Sequence, residues 1–213
     1  MSTRTVFLVD GFNLYHSLCA ARLRTGGSST KWLDLPRLCQ GLLSIVGGQA
    51  ELSRVVLFSA LARHREGTSP GTIERHSRYL DAMLALGVEV ELGHFKRRPH
   101  HCSKCFARTV QYEEKETDVA IATTMLECFF EDRCEAVVLV SGDSDLAPAV
   151  RTARRLFPSR RVIAGFPYAR HSDELKLAAS AHFKLTAEHY GRCQLPTPLM
   201  TQSGRLIHKP AGW

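Results

Sequence analysis

Membrane-spanning and secretory segments are missing from this sequence. No apolar run approaches the roughly 20 residues that a transmembrane helix needs, so we expect no membrane partner. Strand-like residues begin almost at Met1, in place of the basic, apolar and small-residue pattern of a signal peptide. The odd number of cysteines, seven, then predicts reduced thiols and a cytoplasmic location.

Motifs of several nucleotide- and phosphate-binding classes are absent as well. No G-x-G-x-x-G follows the first strand-like segment, which argues against a dinucleotide-binding Rossmann enzyme. The G-x-x-x-x-G-K-[ST] loop of P-loop nucleotidases is missing too. A phosphatase that forms an aspartyl-phosphate would have a second aspartate two residues after Asp10, but Phe12 stands there. The pattern of a receiver-type signalling domain is equally poor.

The composition is that of a globular protein with an excess of positive charge. The 213 residues are 44% hydrophobic and 23% charged, which suits one domain with small additions. The net charge of +7 indicates an anionic partner, of which nucleic acid is the commonest. The sequence contains no internal repeat and no low-complexity segment.

Apolar strand-like runs alternate with helical patterns along the chain. The predicted strands are residues 5–10, 54–60, 88–92, 137–140, 160–164 and 182–186. The predicted helices are residues 13–22, 35–43, 72–86, 118–130, 173–181 and a segment that begins at residue 146. This alternation predicts a three-layer α/β fold with a doubly wound, mostly parallel sheet of about five to six strands. The helix 118–130 is apolar nearly all round, which predicts burial on every side.

Acidic side chains follow two of the predicted strands. Asp10 ends the first strand, and Asp143 and Asp145 come directly after the fourth. The carboxyl ends of neighbouring parallel strands meet at the edge where open α/β sheets bind their ligands. Asp118 opens the helix that leads into the fourth strand. We therefore expect these four carboxylates to converge on one cavity.

Each of these residues also has a simpler structural interpretation. Asp145 and Asn13 are typical helix N-caps, and Asp118 would complement a helix dipole by about 0.3–1 kcal/mol. A group of carboxylates is different, because like charges repel one another unless a cation or a shared proton compensates them. Carboxylate oxygens with an Asn and a Ser beside them, and no Cys or His, suit Mg²⁺ or Mn²⁺ rather than zinc.

Three motifs carry a resemblance to a known family. They are D-G-F-N at residues 10–13, K-E-T-D at residues 115–118 and S-G-D-S-D at residues 141–145. In this order they resemble the NYN domain of LabA-like proteins, a group of the PIN-like nuclease superfamily, over about residues 4–187. The resemblance implies a metal-dependent ribonuclease. The alternative is a non-catalytic RNA-binding or regulatory module of the same fold.

The resemblance also implies roles for individual residues. The catalytic metal ligands would be Asp10, Asp118, Asp143 and Asp145. A site that cleaves phosphodiester bonds also needs polar and basic groups that hold the RNA backbone. The predicted substrate-binding residues are Asn13, Ser141, Ser144, Lys115, Lys96, Arg97 and Arg98.

Residues 94–112 form the most irregular part of the chain. They are rich in Lys, Arg and His, show no periodicity and follow an alternating segment that is typical of an edge strand. We predict a basic loop inserted into a domain that spans residues 1–190. Residues 191–213 are predicted to form an extended tail that packs through Leu206, Ile207 and Trp213.

A C-x-x-C pair lies within this basic segment. Cys102 and Cys105, with His100 or His101, have the spacing of half a zinc site, and such a clamp would order the loop. No second C-x-x-C is present, so two alternatives stay open. One is a pair of reduced surface thiols, and the other is a zinc site shared between two copies in a homodimer.

Overall fold

The fold is built around one mixed sheet, seen in a computed structural model that describes residues 2–24, 26–27, 29–101, 103 and 105–213. The strands of this sheet are β1 (Thr3–Asp10), β2 (Ala50–Ala60), β3 (Glu89–His101), β4 (Arg108–Lys115), β5 (Ala136–Val140), β6 (Arg161–Phe166) and β7 (Ala181–Lys184). The α/β class predicted from the sequence is confirmed. The sheet has seven strands, slightly more than the predicted five to six.

The strand order creates a switch point in the middle of the sheet. The order is β4-β3-β2-β1-β5-β6-β7, and all neighbours are parallel except β3 and β4. The chain adds β2 and β3 on one side of β1, and later adds β5, β6 and β7 on the other side. Open α/β sheets bind ligands at such a point, outside the carboxyl ends of the strands. Here those ends belong to β1 and β5, where Val9 lies opposite Val140.

Helices cover both faces of the sheet and complete three layers. They are α1 (Gly11–Ala21), α2 (Leu35–Val46), α3 (Thr72–Ala85), α4 (Thr117–Phe130), α5 (Ala147–Leu156), α6 (Asp173–Ala178) and α7 (Ala187–Arg192). Alternate residues of β1 enter opposite cores: Phe7 and Val9 pack with α1, α2 and α3, whereas Val6 and Leu8 pack with α4, α5 and α6. Burial on both faces explains why β1 is an uninterrupted apolar run. In the described part of the chain no helix is both long and apolar enough to cross a membrane.

The prediction of an irregular loop at residues 94–112 is wrong. Residues 94–101 continue β3, and residues 108–112 begin β4. The two strands pair antiparallel from His94 opposite Lys115 to His101 opposite Arg108, so backbone hydrogen bonds order this segment. Sequence patterns missed the hairpin because its outer part is exposed on both faces and has no apolar alternation. β4, rather than β3, is therefore the edge strand.

α4 is buried on one face only, contrary to the expectation from its apolar sequence. Ile121, Met125 and Phe129 pack in the core, whereas Val119 and Phe130 are 67% and 82% exposed. The helix lies in the outer layer against one face of the sheet, so its other face meets solvent.

The segment 191–213 folds back on the domain. β8 (Leu199–Met200) and β9 (Leu206–Ile207) form a small antiparallel hairpin. Ile207 is buried, and the ring of Trp213 packs edge-on against Trp32 with their centroids 6.4 Å apart. The predicted packing of Leu206 is wrong, because its side chain is 52% exposed.

Gly11 and Gly41 form a matched pair for a test of the junction between β1 and α1. A Cβ at Gly11 would lie 2.5 Å from the carbonyl oxygen of Phe58, whereas a Cβ at Gly41 in α2 would meet no atom within 4 Å. We expect Gly11→Ala to lower the free energy of unfolding by about 1–3 kcal/mol, as overpacking does. Gly41→Ala should raise it by about 0.5–1 kcal/mol, because alanine suits a helix interior better. Urea unfolding measures both, and equal effects would contradict the close contact.

Candidate active site

The carboxylate of Asp10 ends β1 and is almost completely buried, with 3% of the residue exposed. Its Oδ1 accepts a hydrogen bond from Asn13 N at 2.9 Å. Its Oδ2 accepts from Asn13 Nδ2 at 2.7 Å and from Ser141 Oγ at 2.8 Å. These three donors stabilise a buried negative charge and fix the orientation of the carboxylate.

Asn13 connects the start of α1 to the loop that follows β5. The N-cap role considered for it is wrong: the helix begins at Gly11, and Asp10 is its N-cap. While Asn13 Nδ2 donates to Asp10, Asn13 Oδ1 accepts from Gly142 N at 3.2 Å. The amide group of one side chain thus holds the ends of two neighbouring strands together.

The turn after β5 presents two more of the four motif aspartates. Asp143 N donates to Ser141 Oγ at 3.1 Å, and Asp145 N donates to Asp143 Oδ1 at 3.0 Å. Asp143, rather than Asp145, is therefore the N-cap of the 3₁₀ turn Ser144–Leu146. Asp143 is half-buried, whereas Ser144 and Asp145 are exposed at the edge of the sheet.

Asp118 lies in the first turn of α4 and responds to the charges of the other motif aspartates. Partial desolvation raises the pKa of Asp118, and the negative charges of Asp143, Asp10, Glu114 and Asp145 raise it further, to about 6. Its side chain keeps an exposed edge, so these charges act across a partly hydrated space. The raised pKa indicates a concentration of negative charge at this edge of the sheet.

The donor chemistry of this edge fits a hard divalent cation, because every donor named so far is an oxygen of Asp or Ser or the amide of Asn. No three His, Cys, Asp or Glu side chains, within the ranges that the structure describes, are grouped closely enough to hold a metal ion. Several of the carboxylate oxygens already accept hydrogen bonds, and like charges favour separation. The convergence of all four aspartates on one ion stays a prediction.

Glu114 at the end of β4 is an acidic residue of this edge that sequence reasoning missed. Thr117 Oγ1 donates a hydrogen bond to Glu114 Oε1. Burial raises the pKa of Glu114, and the charge of Asp10 adds to this effect. The acidic run that precedes Asp118 was the available signal, but the strand that positions Glu114 had not been predicted.

Arg170 is a basic residue of the same edge that no motif marked. It lies in the loop between β6 and α6, and a Cβ added to Gly142 would come within 2.9 Å of Arg170 Cβ. Its charge contributes, after burial, to the lowered pKa of His16. The signal that could have found it is positional, since loops that follow parallel strands gather at one edge of the sheet.

The predicted basic contacts with RNA lie on the hairpin of β3 and β4. Successive residues of a strand point to opposite sides, so Lys96 and Arg98 share one side while Arg97 lies on the other. Glu113 Oε2 pairs with Arg98 Nε and with Lys115 Nζ, each at 3.0 Å. Among the residues with described side chains, no carboxylate pairs with Arg97. Lys96 forms no ion pair with a described residue either, so Arg97 and Lys96 are the basic residues of this set most available to an external anion.

The structure describes only part of the predicted zinc site. Cys102 lies outside the described residues, and Cys105 is an exposed, free thiol. His100 and His101 follow each other in β3, so their imidazole rings lie on opposite sides of the hairpin and only one could join Cys105. The zinc site stays a prediction, and backbone pairing joins the two strands of the hairpin as far as His101 and Arg108.

The chain matches a family model, and a curated protein and a solved structure are among the proteins similar to it. The family model is that of the NYN domain, and it matches residues 4–186. A curated relative, 6-hydroxy-3-succinoylpyridine 3-monooxygenase HspA from Pseudomonas putida, is 24% identical over 244 residues, which cover 99% of this chain and 75% of that protein. The crystal structure of a protein of unknown function from Vibrio parahaemolyticus matches with a TM-score of 0.55 and 16% identity, covering 86% of this chain and 93% of that one. The structural match supports the fold alone.

Asp118→Asn should stabilise the metal-free protein at neutral pH. A carboxyl group whose pKa is raised by folding, here to about 6, favours the folded state at low pH, and that contribution is lost as the pH rises through about 4 to 6. Removing the charge should therefore raise Tm at pH 7, and the gain should shrink as the pH falls toward 4. Thermal unfolding in EDTA measures it. A gain of the same size at both pH values, or a loss at pH 7, would contradict the electrostatic account.

Proposed function

Since the chain belongs to the NYN family of the PIN-like nuclease superfamily, we propose that it is a divalent-metal-dependent ribonuclease that hydrolyses RNA phosphodiester bonds. The observation that carries this proposal is the group of acidic side chains at the switch point of the sheet. Asp10 and Asp143 are held there by a hydrogen-bond network, and the pKa of Asp118 is raised by partial desolvation and then by their charges. Residues of the first and third motifs, which are far apart in the chain, thus contact each other at the edge where such folds bind ligands.

Asp10, Asp118, Asp143 and Asp145 are the residues that would hold Mg²⁺ or Mn²⁺. When bound, such a cation would supply an activated water and would stabilise the negative charge on the departing oxygen. Asn13 and Ser141 are positioning residues, because their hydrogen bonds fix the carboxylate of Asp10 rather than reach toward solvent.

Basic residues on both sides of the acidic edge would hold the RNA backbone. Arg170 packs against Gly142 beside the turn that carries Asp143, and its side chain is exposed. Arg97 extends the basic surface along the hairpin on the side that lacks the carboxylate of Glu113. Phosphate contacts from Arg and Lys provide most of the affinity for nucleic acid and position the strand without specifying its sequence.

The second candidate function is a non-catalytic RNA-binding or regulatory module. It is favoured by the fact that no three acidic, His or Cys side chains of the described residues are grouped closely enough to hold a metal ion. The basic hairpin and Arg170 would serve this function equally well. Incubation of a labelled RNA with the protein and Mn²⁺, with and without EDTA, separates the two, because only the nuclease yields EDTA-sensitive fragments.

The name of the Pseudomonas relative describes a different chemistry, the oxygenation of a pyridine derivative. That protein is 24% identical to this chain over the aligned residues, and the NYN family model matches residues 4–186, which include the three motifs of the acidic edge. We therefore base the proposal on the acidic edge. Binding of a pyridine carboxylic acid is an alternative to RNA binding that can be measured.

Asp143→Asn should abolish RNA cleavage while the protein remains folded. The change removes one anionic ligand but keeps the Oδ1 that accepts from Asp145 N. We expect the Mn²⁺-dependent cleavage rate to fall on the order of a hundredfold or more, since even indirect changes to metal sites cost 10–100-fold. Asp10→Asn should have the same effect.

Asp81→Asn is the matched control for this loss. Asp81 is an exposed aspartate on α3 that pairs with Arg205 at 3.1 Å, and such surface pairs contribute little to stability. Cleavage by this variant should equal that of the wild type. Full activity in purified Asp143→Asn would refute the proposed nuclease site.

Arg97→Ala should weaken RNA binding more than Arg98→Ala. Arg98 is already paired with Glu113, whereas Arg97 has no carboxylate partner among the described residues. Each lost phosphate contact lowers the slope of log affinity against log salt by about 0.7 for a single strand. The triple replacement of Lys96, Arg97 and Arg98 by Ala should lower it further.

Binding of a labelled RNA at several salt concentrations, in EDTA to prevent cleavage, measures these slopes. Arg192→Ala, on α7 and outside the hairpin, provides the basic control and should leave the slope unchanged. If Arg97→Ala and the triple variant also bind like the wild type, the hairpin does not contact RNA.

A further inference from the structure

A cavity of about 600 Å³ opens beside the acidic edge. Its walls come from the start of α1, from α3, from the hairpin and from the last residues of the chain. This volume lies in the range of sites that hold one small molecule or one group of a larger ligand. The motifs of the acidic edge do not account for it, because Asp10, Asp118, Asp143 and Asp145 are all absent from its lining.

Many of the side chains that line this cavity are aromatic residues or histidines. The aromatic lining residues are Phe12, Tyr15, Tyr79, Phe95, Tyr112 and Trp213, and three histidines accompany them, namely His16, His64 and His76. His64 stacks on Tyr112 with the centroids 4.2 Å apart and the planes 7° from parallel, and it meets Phe95 edge-on at 4.6 Å. Stacked and edge-on rings of this kind form a platform for another planar ring.

One polar atom within this platform has no partner. His64 Nδ1 is buried and makes no hydrogen bond to the described residues. Deeper in the cavity, His76 Nε2 lies 3.2 Å from Ser59 Oγ. Burial lowers the pKa of His64 and of His76, which favours the neutral imidazole, a group that can donate one hydrogen bond and accept another. A planar ligand with donors and acceptors on its edge matches these groups.

The charge of the lining is positive only. Lys31, Arg65 and Arg75 line the cavity, and no Asp or Glu occurs among its described lining residues. Lys31 Nζ lies 5.1 Å from the centroid of the Tyr15 ring, and Arg65 is exposed. Positive charge next to aromatic rings favours a ligand that is both planar and anionic.

The cavity lies next to the acidic edge. Gly11 and Phe12, which line it, directly follow Asp10. His16, another lining residue, responds electrostatically to Asp10 and also to Arg65 and Arg170. A ligand that crosses from the acidic edge into the cavity would therefore pass basic groups on both sides.

We propose that this cavity binds one nucleobase of the RNA strand, stacked on the Tyr112 and His64 rings, with the phosphate of that nucleotide held by Arg65 or Lys31. The inference rests on the proposed function, because it assigns the base next to the scissile phosphate to a defined subsite. Single-stranded RNA is recognised by such stacking of splayed bases on aromatic side chains. The subsite gives the enzyme a preference for unpaired RNA, since a base within a duplex cannot enter.

The test measures binding in EDTA, so that it does not depend on cleavage. A short single-stranded oligonucleotide and 5′-AMP are titrated by calorimetry into the wild type and into Tyr112→Ala, Tyr112→Phe and His64→Ala. Loss of the stack in Tyr112→Ala should weaken both ligands about tenfold or more, because base–aromatic stacking has effects of this size. Tyr112→Phe keeps the ring and should bind like the wild type. Phe130→Ala removes an exposed aromatic side chain on α4 and is the matched control.

Folding of each variant is checked by its Tm, and His64→Ala provides a second probe of the stack if Tyr112→Ala does not fold. Unchanged affinity for the oligonucleotide in folded Tyr112→Ala or His64→Ala would overturn the proposal. Tighter binding of nicotinic acid than of 5′-AMP, lost in the same variants, would overturn it too and would assign the cavity to a small aromatic acid. If 5′-AMP binds but the oligonucleotide does not, the ligand is a free nucleotide and the proposed RNA subsite is wrong.

A cleavage assay of the wild type in Mn²⁺, run beside these titrations, separates this proposal from the nuclease. Tyr112-dependent oligonucleotide binding by a wild-type protein that does not cleave RNA would leave the subsite in place and remove the catalytic function. Cleavage by the wild type, with binding that is indifferent to Tyr112 and His64, would leave the nuclease in place and remove the subsite.

Discussion

The hydrogen bonds around the buried carboxylate of Asp10 are the constraint on which the candidate site depends. A negative charge at the end of β1 is tolerated because Asn13 and Ser141 supply three donors at 2.7–2.9 Å. The same bonds connect the start of α1 to the end of β5, so the two central strands finish at one level. Loss of the whole carboxylate group would leave the donors of two elements unpaired, which usually costs more than the hydrogen bonds themselves contribute.

The charges of the protein are arranged by sign around this point. Acidic groups concentrate at the switch point, where desolvation raises the pKa values of Asp118 and Glu114 and the neighbouring negative charges raise them further. Basic groups surround it, with Arg170 on one side and the hairpin and the lining of the cavity on the other. A polyanion is attracted to such a rim and repelled by its centre until a cation is bound there. The net charge of +7 therefore includes basic groups that are placed around an acidic centre.

The parts of the site that follow buried strands could be predicted, and the parts built by exposed or distant segments could not. Apolar runs located β1 and β5, and therefore the positions of Asp10 and Asp143. The hairpin could not be predicted, because it is held together by backbone pairing. Such pairing leaves no periodic pattern in the sequence of an exposed ribbon. The cavity could not be predicted for another reason. Phe12 and Trp213 both line it, and only the tertiary fold brings these distant residues together. The role of Asn13 could not be predicted from its residue type, because an Asn at the start of a helix is typically an N-cap. Its side chain instead accepts a hydrogen bond from Gly142 N, which follows the neighbouring strand β5.

The hairpin also determines how the sheet ends. An open sheet has two edges whose unpaired backbone groups invite another strand, and long, flat, apolar edges are the most adhesive. Here one edge is β4, a strand with charged side chains such as Arg108, Glu113 and Lys115, and the other is β7, which has only four residues. The charged side chains of β4 disfavour pairing with another strand, and β7 is too short to offer a long edge for pairing. The charged side chains of the hairpin, of both signs, therefore also make β4 a poor template for a strand of another copy.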